Sequence, residues 1–250
     1  MAKSIQEKQA QELTIVDVAM FEQDAMQESL GVDDLALPFL KVITGMEDYE
    51  TGGKKGEIYN TVTSEVYSGA DGIRIIPCAY QRRFIEWAPR GSGSGAPINI
   101  YEPGQQRPDT ERDDNNRDMV VGGDGNYIEE THQHFCLLLN SEDLAENVLI
   151  TMKSTQLKKS RKLNSMIASR VMKGANGTFT PPRFSHIYQL KTVPESNSKG
   201  NWYGWEMSVD SQVTDASLSA QAKSFADSIT AGDVTVKHET DEAQETNHAF

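Results

Sequence analysis

Along much of this chain apolar residues recur with a period of two, and between two groups of such runs the period switches to that of a helix. Strand-like runs occupy 57–63, 73–87, 131–140 and 147–153, because alternation of apolar and polar residues is what a half-buried strand requires. Over 154–172 the spacing turns helical. Leu163, Met166, Ile167 and Val171 share one stripe, while Lys158, Arg161, Lys162, Ser165 and Ser169 fall on other faces. Ser154 or Thr155 can cap this helix, and the stretch KGANG supplies a glycine stop near Gly174. Two further β-runs follow at 184–193 and 201–209, with PESNSKG as a hairpin turn, and a last amphipathic helix covers 216–229. This order predicts a mainly β chain with a few helices, folded as an OB-fold-like β-barrel with embellishments. An α+β sheet with one covered face is the alternative architecture.

The flanks and one long interruption are read differently. Residues 1–34 hold eight acids against Lys3 and Lys8 and show only partial helical spacing at Ile15, Val18 and Phe21; a mobile acidic arm is expected. A single OB-like folded domain is placed at 35–232, starting with LALPFLKVITG. Within it 91–130 is poor in apolar residues and is read as a mobile insertion, or a loop that orders on a ligand. Residues 233–250 form an acidic disordered tail, DVTVKHETDEAQETNHAF. A hydrophobic content of 37% and a mean hydropathy of −0.55 agree with a chain that is not packed throughout. Cys78 and Cys136 are too few for a disulfide framework. MAKSIQEKQAQEL has no signal-peptide core, and no apolar run reaches membrane-spanning length. A soluble, cytosolic protein without a membrane partner is expected.

Charge is sorted along the chain. The net charge is −13, yet between Thr151 and Trp205 ten cations face a single acid, Glu195. Aromatic residues are interleaved with them. On the second strand of the late hairpin, period two sends Tyr203, Trp205, Met207 and Val209 to one side as core. Trp202 then faces the other way, beside Gly204, where a flat partner can approach. A second cluster, Tyr80 to Arg90, repeats the same residue types on an independent strand. Rings among cations are what unpaired nucleic acid needs, since bases stack on the rings and phosphates follow the cations. The phosphate-holding set is Arg82, Arg83, Lys153, Lys158, Lys159, Arg161, Lys162 and Arg183. The stacking set is Phe84, Trp87, Tyr188 and Trp202. A solvated basic face on an acidic protein is the plainer reading of the same residues.

Signatures of chemistry are sparse. His132, His134 and Cys136 point to one side of a strand and are a candidate zinc trio, but no fourth ligand beyond Cys78 or Glu130 suggests itself, and half-buried strand histidines are the expectation. GGKKGE lacks P-loop spacing, GSGSGAP lacks a strand-to-helix context, and no G-x-S-x-G elbow occurs. A restriction-type nuclease site would want an acid at Thr151, two residues before Lys153. No enzyme activity, no metal and no cofactor are expected.

The tail residues Asp241, Glu242, Glu245 and Phe250, with the basic-aromatic stretch from Lys153 to Trp205, resemble those of phage-encoded single-stranded DNA-binding proteins. LALPFLKV, GEIYNTVT and FTPPRFSHIYQLKTVP are similar to stretches of uncharacterised tailed-phage proteins. The tail departs from the class pattern where Ala243, Gln244 and Thr246 interrupt the acids and Asn247-His248-Ala249 precedes the phenylalanine. The resemblance implies an OB-fold that coats single-stranded DNA during phage replication and recombination in the cytoplasm of the infected bacterial host. It implies that the tail regulates access and docks a partner such as a phage DNA polymerase or helicase-primase, with a homodimer possible. A strand-annealing recombination mediator and a structural or virion-associated phage protein are the alternatives.

Overall fold

The computed structural model describes residues 35–44, 53–89, 91–92, 95–141, 144–198, 200–234 and 236. The arm at 1–34 and the tail residues Asp241, Glu242, Glu245 and Phe250 lie outside them. Within 36–250, the chain is mainly β: an open, strongly curled antiparallel sheet forms a half-barrel, consistent with an OB-like β-barrel.

Three short strands, β1 (Leu40–Val42), β2 (Ile58–Asn60) and β3 (Val66–Tyr67), make a small antiparallel sheet. The main sheet is built on β4 (Ile73–Trp87) and β8 (Tyr127–Leu139), which pair from Arg74↔Leu139 to Trp87↔Tyr127. β9 (Ala145–Lys153) pairs with β8, while β12 (His186–Asn197) and β13 (Gly200–Gln212) form a long hairpin joined to β4. This hairpin is longer than expected, because 194–197 is strand and not turn. Pro194 is tolerated there: Thr192, of the same parity, sends its N–H away from β13 to the Gly69 carbonyl, and β12 pairs with β4 only over Tyr188–Leu190, so the missing N–H costs no ladder bond.

The segment expected to be a mobile insertion at 91–130 carries strands. β5 (Asn99–Tyr101) pairs with β4, β6 (Thr110–Arg112) pairs with β7 (Asp118–Val120), and β7 pairs with β8, whose own first residues are Tyr127–Glu130. Apolar periodicity misses these strands because they extend the ladder beyond the core. A buried carboxylate helps hold them: Glu86 accepts hydrogen bonds from Asn99 Nδ2 at 3.0 Å, Tyr101 Oη at 2.7 Å and Asn126 Nδ2 at 3.1 Å. Burial pushes this carboxyl up, but the three donors outweigh it and hold it below the ordinary carboxylate value.

Both faces of the central strands are covered. On one, Ile75, Cys136, Leu138, Ile150 and Met152 pack with Leu163 and Ile167 of α1 (Leu157–Ala168), with Leu40 and Ile58, and with Trp205 and Met207. On the other, Ile76, Phe135, Leu137 and Leu149 pack with Ala222, Phe225 and Ile229 of α2 (Ala216–Ala231). Asp215 caps α2, accepting from the Leu218 N–H at 2.8 Å, and Gly232 ends it in the left-handed conformation with φ 82°. Val234 and Val236 pack on the same cluster, so the fold runs a few residues past the expected domain boundary at 232.

α1 departs from its expected ends. Ser154–Gln156 is a single 3-10 turn with Ser154 at φ 49°, and no side chain caps the helix. The helix stops at Ala168, so Val171 is 66% exposed and off the stripe; Met172–Gly174 and Gly177–Phe179 form a small hairpin of their own, β10 and β11. Ser160 takes a place on the buried stripe, three residues before Leu163.

Candidate nucleic-acid interface

β9 ends at Lys153, and the turn at Ser154 lays the start of α1 across the β12–β13 hairpin. Gln156 fixes it there. Its amide donates to the Tyr203 carbonyl at 3.3 Å and accepts from the Trp205 N–H at 3.2 Å, satisfying backbone groups of the edge strand β13. Between the two elements lies a groove of about 630 Å³ lined by Ser154, Thr155, Lys158, Arg161, Glu195 and Trp202. Trp202 and the helix cations, far apart in sequence, therefore border the same groove.

Glu195, the one acid of the basic segment, sits in that groove. Lys159 Nζ lies 2.6 Å from one of its oxygens, and Trp202 Nε1 donates to the other at 3.0 Å. Burial pushes the Glu195 carboxyl up; hydrogen bonds from Lys159 and Trp202 and the charges of Lys159 and Lys158 outweigh it and hold it low. Lys159 thus neutralises the acid, and Lys158 and Arg161, both exposed, give the groove its positive character. A Cβ on Gly204 would lie 2.3 Å from Glu195 Oε2. The space beside Trp202 that the sequence suggests for a flat ligand is filled by the chain's own carboxylate. The same bond holds the half-buried indole in place.

The remaining expected contacts divide. Lys162 is exposed on α1, and Lys153 pairs with Glu129 at 3.3 Å. Arg82 is exposed, 4.0 Å from Glu130 Oε1, and Arg161 lies 3.9 Å from the same oxygen, so β4 and α1 bring two guanidinium groups together. Phe84 is half-buried beneath Arg107, whose guanidinium carbon lies 3.5 Å from the ring centroid. Arg83 faces the other way, donating to Gln81 at 2.8 Å and pairing with Glu102 at 3.2 Å.

Two expected stacking residues belong to the core. Tyr188 is 0% exposed and Trp87 is 4% exposed, so neither ring offers a face to a base. Both faces of the sheet are covered, so alternation along β12 buries Ile187 in the cluster with α2 and Tyr188 and Leu190 in the cluster with α1. Trp87 lies on the face of β4 opposite Phe84. Arg183 is half-buried and donates to Asn164 Oδ1 and, at 3.4 Å, to His134 Nδ1.

His132, His134 and Cys136 share a face as expected, and all three are buried. The imidazoles converge on Ser160, whose Oγ lies 2.7 Å from His132 Nδ1 and 2.7 Å from His134 Nε2, while His132 Nε2 lies 2.9 Å from Glu130 Oε1. One hydrogen placement satisfies every contact. Arg183 donates to His134, His134 to Ser160, Ser160 to His132 and His132 to Glu130. Burial, then the charge of Arg183, hold His134 well below its ordinary value of 6.5, as a ring that accepts from a guanidinium must be neutral. Among the described residues no group of three or more His, Cys, Asp or Glu is arranged to hold a metal ion.

Sequence reasoning missed Gln156, Ser160 and Arg107. Ser160 carried a signal, its helical spacing to Leu163 and Ile167. Gln156 and Arg107 carried none, since each acts through a tertiary contact.

No helix among the described residues is long and apolar enough to cross a membrane. The model of the family described as Pam3 phage gp34-like protein matches residues 6–235. No curated protein and no solved structure matches the chain.

Proposed function

The chain belongs to the Pam3 phage gp34-like protein family, and from that premise we propose that this phage protein binds single-stranded DNA, coating unpaired strands during phage replication or recombination. The observation that carries the proposal is the groove in which Trp202, Lys158 and Arg161 meet. A half-buried indole with one polar edge tied down is a rigid platform for a base, and two exposed cations beside it suit the flanking phosphates. Neutralisation of Glu195 by Lys159 removes the charge that would repel a polyanion. The protein acts by holding the strand, without chemistry upon it, in the host cytoplasm. Its acidic tail competes for the same cations and recruits a replication partner.

A gel-shift titration with oligo-dT at two ionic strengths tests this reading. Binding should be tolerant of sequence, and the logarithm of the affinity should fall with the logarithm of salt by ~0.7 for each phosphate contact. Absence of a shift at low salt would end the proposal. A chain stopped after Val236, which keeps the residues that pack on the core, should bind more tightly in the same titration. Unchanged affinity would remove the tail from the account.

A further inference from the structure

The groove at Trp202 leaves a second feature on the same face of the sheet without a role. β4 changes parity at a bulge between Pro77 and Ala79. Before it, Ile73 and Ile75 face α1; after it, Tyr80, Arg82 and Phe84 do, opposite His134, His132 and Glu130 of β8. Alternate residues on a strand stand about 7 Å apart. The Arg183 guanidinium carbon lies 5.4 Å from the Tyr80 ring centroid, that of Arg82 lies 5.4 Å from Phe84, and that of Arg107 lies 3.5 Å from Phe84. Cations and rings therefore alternate along the face, as Arg183, Tyr80, Arg82, Phe84, Arg107.

Local structure sets Arg107 in this row. β5 runs beside β4 with Tyr101 opposite Phe84, and the chain then turns at Glu102–Gln105, where the Glu102 N–H donates to Gln105 Oε1 at 2.7 Å and the Gln105 N–H to the Glu102 carbonyl at 3.2 Å. Arg83, from the opposite face of β4, pairs with Glu102 at 3.2 Å. Next along the face from Phe84, Glu86 has its carboxylate taken up by Asn99, Tyr101 and Asn126. The row meets the groove through Arg161, which shares the Glu130 oxygen with Arg82 and also lines the groove.

We propose that this row is a second strand-binding track, continuous with the Trp202 groove across Arg161, in which a base stacks on the outer side of the Arg107 guanidinium that covers the Phe84 ring. The proposal rests on the single-stranded DNA reading and extends its ligand from the groove to a longer strand. A planar guanidinium backed by a ring stacks on bases as an aromatic does, and Arg82 and Arg161 lie where the intervening phosphates would pass.

Fluorescence anisotropy with oligo-dT of about 6 and about 20 nucleotides, lengths that bracket the usual site sizes of OB-folds, tests the track. The full chain should bind the longer strand more tightly. Arg107→Ala, a change at an exposed position, should weaken binding of the longer strand about 10-fold and leave the shorter one unchanged. Arg107→Lys keeps the charge and should lose as much, because stacking and not charge is what is removed. If both variants bind both lengths like the parent chain, the track is wrong and the groove reading stands. If Arg107→Lys behaves like the parent, or if the shorter strand weakens equally, the stacking track is overturned. If the parent chain binds neither length, both readings fall.

Discussion

Replacing Lys158 and Arg161 together by glutamate is expected to lower the affinity for single-stranded DNA by about 100-fold at moderate salt. Both side chains are exposed and line the groove opposite Trp202, so the exchange changes the field met by the phosphates and leaves the core alone. Arg161 stands 3.9 Å from Glu130, a separation that contributes little to stability on a half-open surface. The paired alanine variant separates charge from fold. Removing two phosphate contacts should flatten the salt dependence by about 1.4 in the log–log slope while leaving the thermal unfolding midpoint in place. A salt slope equal to that of the parent chain would place the phosphates elsewhere. Lys159→Ala should act differently, because it frees the Glu195 carboxylate inside the groove and sets a repelling charge beside Trp202.

The largest effect on stability is expected at Ser160. Its hydroxyl joins two buried histidines, and Ser160→Ala leaves His132 Nδ1 and His134 Nε2 facing a methyl group. Each buried polar atom stripped of its partner costs ~1–3 kcal/mol, so a loss of about 2–5 kcal/mol is expected in denaturant unfolding. Ser165→Ala, on the exposed side of the same helix, is the control and should cost under about 0.5 kcal/mol. The same chain makes the fold sensitive to acid. In the unfolded chain His134 takes up its proton near its ordinary value of 6.5, whereas the native ring, buried beside Arg183, stays neutral to a much lower pH. The unfolded state then binds more protons, and stability falls as pH drops below about 6.5, by at most ~1.4 kcal/mol per pH unit from this residue. His134→Gln should make the acid dependence shallower. An unchanged pH profile would remove His134 from the explanation.

How much of this was written in the sequence depends on which residues obey a simple period. β4 could be read to its exact ends, because Ile73 to Trp87 is dense in β-branched, aromatic and apolar residues with turn residues before and after. The last helix was nearly as legible: its amphipathic period places it at 216–229, and it runs from Ala216 to Ala231. The face that each β4 ring presents was not legible, since a single extra residue at Cys78 reverses the parity for everything beyond it. Phe84 and Trp87 look equivalent as aromatic neighbours of arginines; the register puts one on the α1 face and the other in the core. Tyr188 was misread for a different reason: both faces of the sheet are covered, so Ile187 and Tyr188 are buried on opposite sides. The strands at 99–101, 110–112 and 118–120 escaped because polar residues that extend a ladder beyond the core leave no apolar pattern.

The groove itself was half legible. The surplus of cations and the lone Trp202 pointed to a polyanion, and Glu195 stood out as the single acid among them. Its role did not. Only the packing of α1 against the late hairpin shows that Lys159 and Trp202 both bind that carboxylate, which turns a scattered basic segment into a groove with an ordered ring on one wall.

Ultraviolet cross-linking of oligo-dT to the full-length chain, followed by mapping of the modified peptides, tests the central claim most directly. The account predicts adducts on the peptide carrying Trp202 and on the segment from Ser154 to Arg161. Adducts confined to the outer helix Ala216–Ala231, or no adducts at saturating oligonucleotide and low salt, would contradict it.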